Sequence, residues 1–273
     1  MNKKTLICKF WLACMTGGAM AAAAVAQQLP VPAATAAATD KVIADLVAAS
    51  RILADLNVMD GFGHVSARHP SHPDHFLMSR SKAPATVTAE DIVEHDQDGN
   101  GIDANGRGLF LERYIHSEIY RTRPDVMAIV HSHSPGVVPF SVSQTPLRPV
   151  YHNSAFLGAG VPVFEIRQTA GMSDMLIRNA QIGKALAAVL ADKPVVLLRG
   201  HGDVVVGPSL PIVVFRAYYT EVNARLQQQA IALGPVTYLE PEEARIADKV
   251  NEQVVMRPWD LWKKKVGEKQ PSP

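Results

Sequence analysis

Cysteine is nearly absent. The 273-residue chain holds two, Cys8 and Cys14, and both lie in its opening segment. Beyond that segment the chain can form no disulfide and use no cysteine nucleophile. An excess of one charge is also lacking. Lys and Arg number 27 against 26 Asp and Glu, and no basic run occurs in the body. Nucleic acid is therefore excluded as a partner, because neutralising its backbone needs clustered cations. No internal repeat is visible, and no apolar stretch of about twenty residues carries a charged stop on its far side, so an uncleaved membrane anchor is not expected.

What the first segment does have is the order of a secretory signal. Lys3, Lys4 and Lys9 form a positive start, Phe10–Ala23 is apolar, and Ala24-Val25-Ala26 offers a small-x-small cleavage site. The expectation is export by the general secretory route, with 1–26 removed and the mature protein periplasmic or secreted, off the membrane. Trp11-Leu12-Ala13 before Cys14 fits a lipidation site poorly, and no paired arginines mark the twin-arginine route. Cleavage removes both cysteines. It also takes three lysines, which turns 27 basic residues into 24 against 26 acidic ones.

The rest divides into an Ala/Pro-rich spacer at 27–39 and one domain with a helical tail at 40–273. A helix is expected from Asp40, which would cap it, with Ile43, Leu46, Val47, Ile52 and Leu53 on its apolar side. His64–Arg68 and His75–Ser79 read as strands, and Thr88–Asp91 as a cap or short helical turn. Asp96–Gly101 begins like a calcium loop, but Arg107 stands where the bidentate Glu belongs, so a hairpin turn is expected. Helices are expected at Leu111–Arg121, Asp174–Leu190, Ile212–Leu233 and Glu242–Val255, with strands at 126–130, 161–166 and 194–198. Trp259 and Trp262 are expected to anchor the tail. The mixture gives α/β or α+β.

Chemistry concentrates at two strand ends. His131-Ser132-His133 follows the apolar run Val126–Val130. Residues i and i+2 of a strand share a face, so the two imidazoles emerge together, a geometry suited to chelating one metal ion. A third candidate, His201, sits in Arg199-Gly200-His201-Gly202 after another apolar run. Glu112 and His116 share a face of their helix. On the residues alone, Glu112 reads first as a surface carboxylate of an amphipathic helix, with a fourth ligand or an acid/base as the alternatives. His69, His72 and His75 invite a second metal site, but Pro70 and Pro73 make that stretch a surface turn. Tyr218 and Tyr219 read as helix packing, with Tyr219 also a candidate to reach a neighbouring subunit's site.

Taken in order, Gly63-His64-Val65-Ser66, Ser79-Arg80-Ser81-Lys82, Glu112-x3-His116, Arg123-Pro124-Asp125, His131-x-His133 and Gly200-His201-Gly202 resemble the class II aldolase/adducin family over about residues 40 to 235. The resemblance implies a three-layer α/β/α single domain around a mainly antiparallel sheet. It also implies cyclic tetramers with sites between subunits. By the same resemblance His131, His133, His201 and Glu112 are the metal ligands and Glu112 is the catalytic carboxylate. His64, Ser66, Arg80, Ser81 and Lys82 fall at substrate-positioning places. One divalent ion per subunit is implied; the donor set suits zinc first, then manganese or cobalt.

Departures bear on substrate. Where the family's sugar-phosphate aldolases have two serines before the catalytic Glu, this chain has Phe110 and Leu111, and Arg80 and Lys82 stand nearby. Loss of phosphate donors and gain of cations resemble the branch that decarboxylates hydroxylated aromatic acids. The expectation is a metal-dependent carbon–carbon lyase. Decarboxylation of a non-phosphorylated hydroxylated carboxylic acid, through a metal-stabilised enolate, stands first. Retro-aldol cleavage of a hydroxy-carbonyl compound is second, and an adducin-like binding module without catalysis is the third reading.

Overall fold

Seven strands form one sheet in the order β3-β2-β1-β4-β7-β6-β5. The computed structural model describes residues 33–102 and 104–268. The signal segment at 1–26 lies outside the described residues. The strands are β1 (His64–Arg68), β2 (Phe76–Ser79), β3 (Ile92–His95), β4 (Ala128–Ser132), β5 (Val163–Phe164), β6 (Val195–Leu198) and β7 (Gly202–Gly207). Every neighbouring pair is antiparallel except β5 with β6. The helices are α1 (Ala33–Asp55), α2 (Arg113–Thr122), α3 (Val138–Val142), α4 (Arg167–Ala170), α5 (Ala180–Leu190), α6 (Leu210–Leu233), α7 (Pro241–Val254) and α8 (Met256–Glu268). None of the described helices is long and apolar enough to cross a membrane.

Strand alternation splits the core in two. Val130, Val195, Leu197 and Val205 join Leu46 and Leu53 of α1, Val213 of α6 and Trp259 of α8 on one face. Ile129, Val196, Val204 and Val206 join Ile115 and Ile119 of α2 and Leu186 and Leu190 of α5 on the other. With both faces covered, the inner strands read as unbroken apolar runs, because alternate residues all find a core. The result is the three-layer α/β/α arrangement with a mainly antiparallel sheet. Trp259 and Trp262 are buried, and Lys263 donates to Asp45 of α1 at 2.7 Å.

Several boundaries moved. α1 starts at Ala33, so Asp40 lies inside the helix rather than capping it, and 33–39 is not a spacer. Alanine has the highest helix propensity and no proline lies between Ala33 and Asp55, so nothing interrupts the helix. α5 starts at Ala180 rather than Asp174, because Asn179 caps it by accepting from the Ile182 N–H at 3.0 Å. β7 was not foreseen; three valines behind Asp203, between two glycines and ahead of a long helix, carry little periodicity. The Asp96–Gly101 turn is a hairpin: His95 bridges Gly101, and Asp96 Oδ1 accepts from the N–H groups of Asp98 and Asn100 at 2.9 and 2.8 Å.

β7 approaches β4 closely where Ser132 faces Asp203. A Cβ on Gly202 would lie 1.9 Å from the Ser132 carbonyl oxygen, so only glycine fits. Gly202→Ala must push the β6–β7 turn away from β4. We expect its metal affinity to fall at least about tenfold, the scale seen when support around metal ligands is lost. Competition with a chromophoric chelator measures it.

Candidate active site and metal centre

Sheet order brings distant sequence together. His131 and His133 come from the end of β4, and His201 from the tight turn between β6 and β7, where Gly200 adopts φ +65°. Because β7 lies beside β4, that turn lands on the histidine pair. Glu112 enters at the N-cap position of α2 rather than within the helix.

Three ring nitrogens and one carboxylate oxygen from His131, His133, His201 and Glu112 lie within 4.8 Å of one another. His131 Nδ1 donates to the Asp203 carbonyl at 2.9 Å, and His201 Nδ1 donates to the Met175 carbonyl at 3.2 Å. A carbonyl only accepts, so both rings carry a proton on Nδ1 and turn Nε2 toward the cluster, where the neutral ring offers a lone pair. These Nε2 atoms lie 3.4 and 3.5 Å from Glu112 Oε2, and His201 Nε2 is 2.9 Å from His133 Nε2. His131 Nε2 is buried without a hydrogen-bond partner. Convergent electron pairs with an orphaned nitrogen among them fit a divalent cation of mixed nitrogen and oxygen preference.

Electrostatics agree at Glu112, His133 and His201; at His131 burial would lower the ring, but the facing Glu112 carboxylate outweighs it and raises it. Burial alone would raise the Glu112 carboxyl, but His131, then His201 and the Ile177 N–H, outweigh it and hold it down at about 2. Burial, then the nearby His131, lowers His133 and brings His201 to about 4. At neutral pH this leaves a carboxylate anion and two neutral imidazoles, the forms a metal requires. Beneath them Asp203 is fully buried, which pushes its carboxyl up to about 7, and Ser132 Oγ donates to it at 2.5 Å.

The opened stretch before α5 has a task. Ile177 N–H donates to Glu112 Oε1 at 2.9 Å, and the Met175 carbonyl takes the His201 proton. Met175 sits at φ +66°, a region a side chain enters only under constraint. Sequence reasoning missed these backbone contributors, since a carbonyl or N–H leaves no mark on residue type.

A cavity of about 420 Å³ opens beside the ligands, lined among others by His64, Ser81, Lys82, Phe110, Glu112 and His133. Phe62, which stacks on His133 with ring centres 5.9 Å apart, and Leu111 complete an apolar wall. His64, Ser81 and Lys82 thus reach the cavity. Ser66 and Arg80 do not line it. Ser66 is fully buried and sits in a chain running inward from His64. His64 Nδ1 lies 2.7 Å from His116 Nε2, His116 Nδ1 lies 2.6 Å from Ser66 Oγ, and Ser66 Oγ lies 2.8 Å from Tyr120 OH. Tyr219 packs against Phe215, Tyr218 and Tyr151 and lines a separate pocket with Asn251 and Leu261.

Residues 44–228 match the model of the class II aldolase and adducin N-terminal domain. The chain belongs to this family. Decarboxylase tropJ of Talaromyces stipitatus is 36% identical over 244 residues, covering 81% of this chain and 92% of that protein. A 3,4-dihydroxyphthalate decarboxylase of Arthrobacter keyseri is 32% identical over 201 residues, covering 68% and 77%. Among solved structures, an L-fuculose 1-phosphate aldolase of Glaciozyma antarctica superposes with a TM-score of 0.72 at 25% identity, covering 88% and 94%. The motif resemblance and the α/β/α fold are thereby confirmed, and the protein is a lyase-type enzyme.

In this class II aldolase relative the cavity's Lys82 and the nearby Arg80 share one anion. Arg80 Nε donates to Asp91 Oδ1 at 2.7 Å and Lys82 Nζ to Asp91 Oδ2 at 2.6 Å. Arg80 therefore spends its Nε–H on Asp91 and stands outside the cavity lining. Burial opposes the Asp91 charge, yet Lys82, the Thr88 N–H and Arg80 together hold its carboxyl far below the usual range. A folded pKa below the unfolded one stabilises above about pH 4 and is lost as pH falls toward the depressed value. Asp91→Asn should lower the melting temperature at pH 7 by roughly 2–4 °C, about 1 kcal/mol for a chain of this size. The gap to wild type should close as the melts are taken to more acid pH.

His69, His72 and Glu94 form a second group with metal-ligand spacing. Its chemistry is that of a pinned turn. His69 Nδ1 accepts from the N–H groups of Ser71 and His72, both at 3.1 Å, which leaves the proton on Nε2 and no free lone pair. Glu94 Oε1 meets His72 Nδ1 at 3.0 Å and His75 Nδ1 at 2.6 Å. The expected surface turn stands.

Proposed function

We propose that the protein decarboxylates a hydroxylated, non-phosphorylated carboxylic acid, most simply an aromatic one. The observation that carries this is the cavity wall: Phe62, Phe110 and Leu111 face the metal ligands, with Lys82 at the same opening. A flat apolar wall suits a ring, and two cations sharing the one carboxylate of Asp91 leave a net positive charge for an anionic group. Phe110 and Leu111 offer no side-chain donors to a phosphate. The names of the two decarboxylase relatives support the same reaction.

His131, His133, His201 and Glu112 would hold one divalent ion, for which we propose zinc. When bound, that ion supplies a Lewis acid for the oxygens of the substrate. The chain's own groups do the rest. Glu112, held ionised, accepts the proton of the substrate hydroxyl and returns it to the carbon that loses CO2. Breaking the carbon–carbon bond leaves its electron pair on that carbon, and the returned proton closes the balance. Phe62, Phe110 and Leu111 keep water from the reacting face, and Lys82 orients the acid. We place this chemistry outside the cytoplasm, after removal of 1–26, in a homo-oligomer for which a cyclic tetramer is the proposal.

The test is a paired product assay on the mature, zinc-loaded protein, offered hydroxylated aromatic acids and non-phosphorylated aldols. Metal-dependent CO2 release without aldehyde is the expected result. Aldehyde without CO2 would make the enzyme a retro-aldolase, the reading favoured by its likeness to the fuculose 1-phosphate aldolase. Neither product, with full partner binding in metal-free protein, would revive a binding module.

A further inference from the structure

The buried chain from His64 to Tyr120 has a direction. Among the described residues, Ser66 Oγ is the one acceptor that Tyr120 OH meets. Tyr120 is buried, and Arg68 covers its ring at 4.8 Å. A buried donor without an acceptor is costlier and rarer than an acceptor with a spare lone pair. Tyr120 therefore donates to Ser66. Ser66, having accepted, spends its own proton on His116 Nδ1. That ring then carries its proton on Nε2 and donates to His64 Nδ1. The reverse order would leave the phenol proton facing Ser66 with nothing to receive it.

The order ends at the cavity. His64 lines it, and with Nδ1 turned inward onto His116 the remaining ring nitrogen, Nε2, is the edge left for substrate. The His64 ring centre lies 5.0 Å from that of the metal-candidate His131 and 4.5 Å from Phe110.

We propose that the Tyr120–Ser66–His116 chain locks His64 in the Nε2–H tautomer, making it a fixed neutral donor to a substrate oxygen beside the metal site. His64 then binds an oxygen acceptor, such as a carboxylate or carbonyl oxygen, and takes no part as a base. Ser66, His116 and Tyr120 are positioning residues that act through it. What the donor holds rests on the decarboxylase reading; the proton order does not.

The test uses the full mature chain loaded with zinc and labelled with nitrogen-15 at histidine. Two-bond proton–nitrogen correlation separates protonated from bare ring nitrogens. His64 and His116 should each show a protonated Nε2 and a bare Nδ1; a protonated Nδ1 on His64 overturns the proposal. In Ser66→Ala the single His64 tautomer should give way to a mixture. Its kcat should fall about tenfold, on the scale of one hydrogen bond, with zinc content unchanged. Ser66→Thr keeps the hydroxyl and should restore both. An unchanged tautomer or an unchanged rate in Ser66→Ala overturns the proposal, and neither is moved by a merely structural role. The spectrum needs no substrate. If no acid releases CO2 while the tautomers are as stated, the decarboxylase reading fails and the proton order stands.

Discussion

His131→Ala should yield a folded protein that no longer retains a divalent metal and turns over at least roughly a thousand-fold more slowly, the loss of several kcal/mol of charge stabilisation. His131 is fully buried, its Nδ1 is tied to the Asp203 carbonyl, and its Nε2 is the orphaned nitrogen of the cluster. Removing the ring takes away a candidate ligand whose Nδ1 bond fixes its orientation. The fold should survive, because β4 keeps its register with β1 and β7 through backbone bonds that the substitution leaves alone. Metal content by mass spectrometry, read beside far-ultraviolet circular dichroism, separates the two effects. Normal turnover in a verified zinc-free variant would remove the metal from the mechanism. His133→Ala should behave alike, with a smaller loss of affinity, since its ring is half-exposed and stacks on Phe62 at the cavity wall.

Glu112→Gln has the second largest expected effect, and a different signature. The amide keeps the shape of the carboxylate and can still accept from the Ile177 N–H. Three imidazoles remain, so zinc should stay bound. What is lost is the anion proposed to move the proton. Turnover should drop by about 10²–10⁴-fold, the range for a positioned general acid–base, with little change in KM. Retained kcat would reassign proton transfer to another group. Loss of zinc together with rate would make Glu112 chiefly a ligand. Measuring metal and kcat on one sample decides between them.

The candidate ligand set was legible because it obeys local rules. His131 and His133 are two apart at a strand end, and His201 follows an apolar run beside glycines; those patterns survive without coordinates. Arg80 shows where legibility stops. Its position pointed to a carboxylate grip, but Asp91, eleven residues on and in another element, takes its charge. Ser66 likewise carries the right motif and faces the core in place of the cavity. Ion pairs and burial are settled by which elements become neighbours, and a chain position does not state its neighbours. The same reason hid Met175 and Ile177. Helical periodicity ran through 174–190, but Asn179 capped α5 late and left the preceding backbone free to hold Glu112 and His201.

By itself, the sequence determined the donor chemistry, three histidines and a glutamate, and the pattern of apolar runs from which a sheet covered on both faces follows. It also determined the loss of hydroxyl donors at Phe110 and Leu111. Tertiary structure alone decided that the four ligands meet, because only the pairing of β4 with β7 carries the turn of His201 to His131 and His133. It alone decided which charges are spent on each other, and the direction in which protons are ordered from Tyr120 to His64. Local periodicity reaches a few residues along the chain, whereas these outcomes depend on contacts between separate elements, from nine to seventy-two residues apart.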